Sequence, residues 1–155
     1  MIISLYTKKL FIVTVMFFLQ VPETVSQLKN SNLVERGTIN IKISGFENDL
    51  GDCWFALDNS KEVYESKGSV FIGKILPIIN RSVYIKLDSL EYGKYAIRVF
   101  HDENSNGKLD FNFLGIPTED YGYSNNASAW FGPPRWEKAS FIFNQSEMQV
   151  EISVD

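Results

Sequence analysis

This 155-residue chain has one cysteine, Cys53, and one histidine, His101. A single cysteine excludes an intramolecular disulfide, even in an oxidising compartment. One His and one Cys without ligand spacing also disfavour a zinc site. Clustered Lys and Arg are missing, so there is no basic stripe of the kind that nucleic-acid phosphates require. Beyond residue 26 no segment carries a helical period, and no apolar run approaches the roughly 20 residues of a membrane span. A nucleophile motif is missing too. Ser124 lies in Tyr-Ser-Asn-Asn, which is not a nucleophile elbow. Cys53 shares the apolar phase of Phe55 and Leu57, the setting of a buried, inert thiol rather than of an activated thiolate.

What the sequence does have begins with an export signal. Lys8 and Lys9 precede the apolar stretch 10–19, and Thr24-Val25-Ser26 offers a cleavage site before Gln27. That apolar stretch is about half of the roughly 20 residues that a retained anchor would need. The expected organisation is a signal peptide over 1–26, a polar leader over 27–36 and one domain over 37–155. The expected location is periplasmic or secreted. Without Lys8, Lys9 and Glu23, 13 of the 15 basic and 18 of the 19 acidic residues remain, a formal charge of −5.

Period-two alternation dominates the rest. Strands are expected at 38–44, 53–58, 69–75, 82–87, 94–101, 139–143 and 148–154. The phases are clearest in Ile39, Ile41, Ile43 and in Met148, Val150, Ile152, Val154. Residues 144–147 read as a hairpin loop between the last two strands, and 59–68 as a solvated loop. About seven short strands separated by turns predict an all-β fold. The form expected is an antiparallel β-sandwich with Greek-key connections, with a closed barrel as the alternative. Residues 102–138 break the pattern. A loop that long inside a compact domain is expected to be functional or internally tied.

Its start, His-Asp-Glu-Asn-Ser-Asn-Gly-Lys-Leu-Asp over 101–110, repeats short oxygen-bearing side chains at every second position. Asp102, Asn104, Asn106 and Asp110 take positions one, three, five and nine of a calcium loop, with Gly107 at the sharp turn and the Lys108 peptide carbonyl at position seven. Position twelve is Phe113, so the usual bidentate Glu is missing and the loop is not an EF-hand; Glu119 or Asp120 would have to complete the shell. Calcium is preferred over magnesium, which demands a stricter octahedron. Asp and Asn also favour metal-free turns by bonding nearby amides, and that alternative stays open.

His101 shares the inward parity of Tyr95, Ile97 and Val99 and reads as a histidine that ties the loop to the strand end. A second possibility is a small hydrolase in which His101 works with Asp102 or Glu119. Tyr121, Tyr123, Trp130, Phe131 and Trp136 crowd the long loop. They either cap the open end of the fold or form a stacking surface for a sugar or peptide. Residues 92–110, 115–127 and 132–139 resemble the bacterial family called domain of unknown function 2141. That resemblance implies an exported small β-sandwich without an assigned reaction. The stretch 90–99 is similar to transthyretin-like sandwiches, of the broader immunoglobulin-like kind, which mostly act as accessory or binding modules. The expected function is therefore non-enzymatic: a calcium-binding exported domain presenting a surface to a cell-envelope protein or glycan.

Overall fold

The structure is a computed structural model that describes residues 33–66 and 68–155. The signal peptide and most of the polar leader lie outside the described residues. Among the described residues, eight strands form two sheets. One sheet has the order β4 (Ser82–Glu91), β1 (Arg36–Ser44), β8 (Glu147–Ser153). The other has the order β3 (Ile72–Pro77), β2 (Asp52–Asp58), β5 (Gly93–Asp102), β6 (Tyr121–Tyr123), and β7 (Phe141–Phe143) also pairs with β5. The alternation explains the packing. Ile39, Ile41, Ile43, Val83, Ile85 and Leu87 of the first sheet share one apolar cluster with Cys53, Phe55, Leu57, Ile97 and Val99 of the second. Each such side chain contributes roughly 1.5–3 kcal/mol when fully buried.

Two expectations about pairing are corrected. β8 runs parallel to β1, with Ile41 opposite Val150 and Ile43 opposite Ile152, so the pairing is not antiparallel throughout. Residues 144–147 do not close a hairpin. β7 pairs with β5, with Phe143 opposite Gly93, while β8 pairs with β1 in the other sheet. The chain crosses between sheets there, held by the Thr38 amide donating to the Ser146 carbonyl at 2.9 Å. One further expectation fails, at 59–68, and the internal ties expected of 102–138 take definite form, both through elements too short to show a period. Residues 59–68 contain the helix α1 (Lys61–Glu65), capped by the Ser60 hydroxyl, which accepts from the Val63 amide at 3.3 Å. Residues 102–138 contain the three-residue strand β6, a 3₁₀ turn (Ser124–Asn126) and the start of the helix α2 (Trp136–Ala139).

These short elements cover the outer face of β5. Tyr64 of α1, Trp136 and Ala139 of α2, and Ala96 form a second apolar cluster. Tyr64 and Trp136 meet edge to face at 5.7 Å between ring centroids. Arg98 lies over the Tyr64 ring and grips the wholly buried Asp58 through Nε and Nη2 at 2.7 and 3.0 Å. Burial pushes the Asp58 carboxyl up, and Arg98 pulls it part of the way back.

Along its outer edge β5 changes partner, from β6 at Arg98, Val99 and Phe100 to β7 at Gly93, Lys94 and Tyr95. Ser124 fills the gap. Its buried hydroxyl accepts from the Ile97 amide at 2.8 Å and donates to the Ala139 carbonyl at 2.6 Å. Ser124→Ala leaves two buried backbone groups without that partner and is expected to cost about 1–3 kcal/mol in urea unfolding. An unchanged midpoint would remove this role.

Candidate cation loop and aromatic tip

The loop that leaves β5 is built on Asp102, whose side chain is 1% exposed. Its two carboxylate oxygens accept from the amides of Asn106 at 2.9 Å and Gly107 at 2.7 Å. That folds 102–107 into a tight turn, and Gly107 supplies the positive φ of 78° that a side-chain-bearing residue would resist. The Oδ1 atoms of Asn104 and Asn106 accept from the amides of Asn106 and Lys108 at 3.0 and 2.8 Å. The Nδ2 groups of the same two residues both donate to Asp110 Oδ2, at 2.6 and 2.9 Å. Asp102 thus holds the floor of the turn, and Asn104, Asn106 and Asp110 gather above it.

Among the described residues, no three Asp, Glu, His or Cys side chains are placed to hold a metal ion together. A cation here would be held by two carboxylates with amide and peptide oxygens, a donor set that suits calcium and not zinc. Asn104 and Asn106 oxygens keep a second lone pair while accepting their turn amides. Both amide planes are oriented by their hydrogen bonds, with nitrogen towards Asp110.

Glu119 has a role that spacing alone does not reveal. Its carboxylate is 9% exposed and accepts from the Glu103 amide at 3.0 Å and the Asp110 amide at 2.9 Å. It clasps the two ends of the turn together. Asp120 looks elsewhere: its Oδ2 accepts from the Glu47 amide and its carbonyl from the His101 amide. His101 is wholly buried. Its Nε2 lies 2.7 Å from the Leu50 carbonyl, which fixes that nitrogen as the donor. Nδ1 has no hydrogen-bond partner and faces Glu103 Oε1 at 3.6 Å and Asp120 Oδ2 at 3.8 Å. The neighbours of His101 are therefore Glu103 and Asp120, whereas Asp102 and Glu119 spend their carboxylates on backbone amides.

The aromatic residues do not assemble into one platform. Trp136 is 6% exposed and packs into the second cluster, because it shares a helix face with Ala139. Tyr121 and Tyr123 are half-buried in β6, with rings 6.1 Å apart. Trp130 stands clear at 97% exposure beside Phe131 at 95%. No local pattern marked Trp136 for burial, because its helix is about one turn long.

The family model described as "Uncharacterized protein conserved in bacteria (DUF2141)" matches residues 41–151. The chain belongs to that family. No curated protein and no solved structure matches the chain significantly. The DUF2141 match spans both sheets, the cation loop and the aromatic tip. Among the described residues, no helix is long and apolar enough to cross a membrane.

Two measurements follow for this DUF2141 chain. Glu119→Gln keeps one acceptor but turns an NH2 towards the second amide. It is expected to lower stability by about 1.5–3 kcal/mol, with faster hydrogen exchange at Glu103 and Asp110 than in β5. Equal exchange in both proteins would dismiss the clasp. Burial, aided by Asp52, pushes the Cys53 thiol up to about 12. A maleimide near neutral pH is therefore expected to label Cys53 only after unfolding; rapid labelling of the native protein would contradict that.

Proposed function

We propose that this chain is an exported, non-catalytic β-sandwich domain of transthyretin-like or immunoglobulin-like kind whose 102–110 loop takes up calcium. The sandwich reading is supported by the single apolar cluster to which both sheets contribute. Export rests on the charged and apolar pattern of residues 1–26. The observation that carries calcium is the gathering of Asn104, Asn106 and Asp110 above the anchored carboxylate of Asp102. On calcium uptake, Asp110 releases the two side-chain NH2 groups, and the second lone pairs of the Asn104 and Asn106 oxygens and the Lys108 carbonyl turn to the ion while the turn amides stay bonded. Two carboxylates balance the charge of the ion, which sets a weak affinity, with Kd roughly 10⁻⁴–10⁻³ M.

The non-catalytic reading is supported by the burial of His101 and by the use of Asp102 and Glu119 as backbone acceptors. The metal-free turn is the second reading. It is favoured by the number of loop amides already satisfied by Asp102, Asn104 and Asn106.

Isothermal titration with calcium separates the two. Binding is expected to add about 1.4 kcal/mol of stability at a calcium concentration ten times Kd, and Asp110→Asn is expected to abolish both heat and stabilisation. No heat and no rise in Tm at millimolar calcium would leave the metal-free turn standing.

A further inference from the structure

The segment 127–135 leaves the fold and returns within a few residues, and its two feet are tied together. Asn125 Nδ2 lies within hydrogen-bond reach of the carbonyls of Lys138, Ala139 and Ser140 at 3.0–3.3 Å. Asn126 Oδ1 accepts from the Ser153 amide at 2.9 Å. On the other side, the buried Pro134 offers its carbonyl to the Tyr64 hydroxyl at 2.8 Å. Pro133-Pro134 fixes the backbone between the tip and α2. Trp130 and Phe131 are thus displayed on braced feet, almost fully in water. An aromatic pair so exposed has little protein packed against its rings. It suits a deformable apolar medium, into which the rings can sink, better than a ligand that must be cradled.

The charge around the tip names the medium. A recess of about 800 Å³ is lined by Trp130, Phe131, Pro133, Arg135 and Lys138, among others, with no acidic residue. Among the described residues, neither Arg135 nor Lys138 pairs with a carboxylate. The one acid of this stretch, Glu137, is held by Lys61 at 2.9 Å. A cationic collar under exposed aromatics, on a chain of net charge −4, complements an anionic lipid surface. Another exposed aromatic turn, at Phe113, stands between Asp102 and Asp120 on an acidic loop and has no such collar.

We propose that the Trp130–Phe131 tip inserts into the headgroup boundary of an anionic bilayer, with Arg135 and Lys138 on the lipid phosphates. This contact is independent of calcium at the 102–110 loop.

The test uses the full chain, as isolated from cells, with vesicles of phosphatidylglycerol and phosphatidylethanolamine or of phosphatidylcholine alone. Tryptophan occurs only at positions 54, 130 and 136, so the leading apolar tract cannot generate the signal. With the anionic vesicles, tryptophan emission is expected to shift to the blue and to be quenched by lipids brominated on their acyl chains. Trp130→Phe is expected to remove both effects. The Trp130→Ala, Phe131→Ala double variant is expected to weaken partitioning roughly tenfold per ring. Loss of Arg135 or Lys138 to Ala is expected to cut the preference for phosphatidylglycerol roughly fivefold per cation. Unchanged Tm confirms that these surface variants fold. No shift or quenching in the folded protein would overturn the proposal, as would a shift that survives in Trp130→Phe. So would a shift produced by a soluble glycan or a protein and not by vesicles.

Discussion

A strand buried on both faces has no water to satisfy its backbone, so every amide and carbonyl must find a protein partner. β5 is in that position. Tyr95, Ile97 and Val99 enter the core between the sheets, while Ala96 is sealed beneath Tyr64 and Trp136. One edge is covered by β2 from Ala96 to Asp102. The other is shared between two three-residue strands that do not meet, and the Ser124 hydroxyl bridges the break at Ile97. The long excursion after β5 follows from this demand. The chain must come back twice, once as β6 and once as β7, to complete one edge. The two apolar clusters hold only if both returns are made.

The same demand shapes the cation loop. β5 ends at Asp102, and the chain must reverse to bring Tyr121 alongside Phe100. The reversal exposes a string of backbone amides near the protein interior. Two carboxylates absorb four of them: Asp102 takes Asn106 and Gly107, and Glu119 takes Glu103 and Asp110. Charge-assisted bonds of this type are about twice as strong as neutral ones. An anchored anion at the floor of a tight turn is also what the proposed calcium uptake needs, so one residue would serve scaffold and binding alike.

The sequence disclosed side-chain phase far better than strand partnership. Alternation in Ile39–Ile43 and in Ile85–Leu87 told which side faces the core, because phase depends only on the pleat. It could not tell that β8 would join β1 in parallel, since the inward face of Val150 and Ile152 is the same whichever strand lies beside it. The helices over Lys61–Glu65 and Trp136–Ala139 are about one turn long and show no period, so their existence rests on tertiary packing against β5. At the cation loop, the spacing of Asp102, Asn104, Asn106 and Asp110 was legible because it is local. The grip of Glu119 on Glu103, sixteen residues back, was not, because nothing in the intervening chain encodes the distance between them.

The two surface features are anchored at different points along β5. The acidic turn leaves at Asp102, while the tip stands on feet tied to Ile97 through Ser124 and to Tyr95 through β7. Separation matters electrostatically. Exposed charges farther apart than about 8 Å are largely screened at physiological ionic strength. The negative charge of the acidic turn therefore leaves the Arg135–Lys138 collar largely unneutralised. Had the collar adjoined Asp102 and Asp110, each would have cancelled the other's attraction for its ligand. β5 supplies the spacing, since Ile97 and Asp102 stand five residues apart, roughly 17 Å along the strand at about 3.3 Å each. The doubly buried strand thus does more than complete a core: it keeps an acidic turn and a cationic collar apart on one small domain.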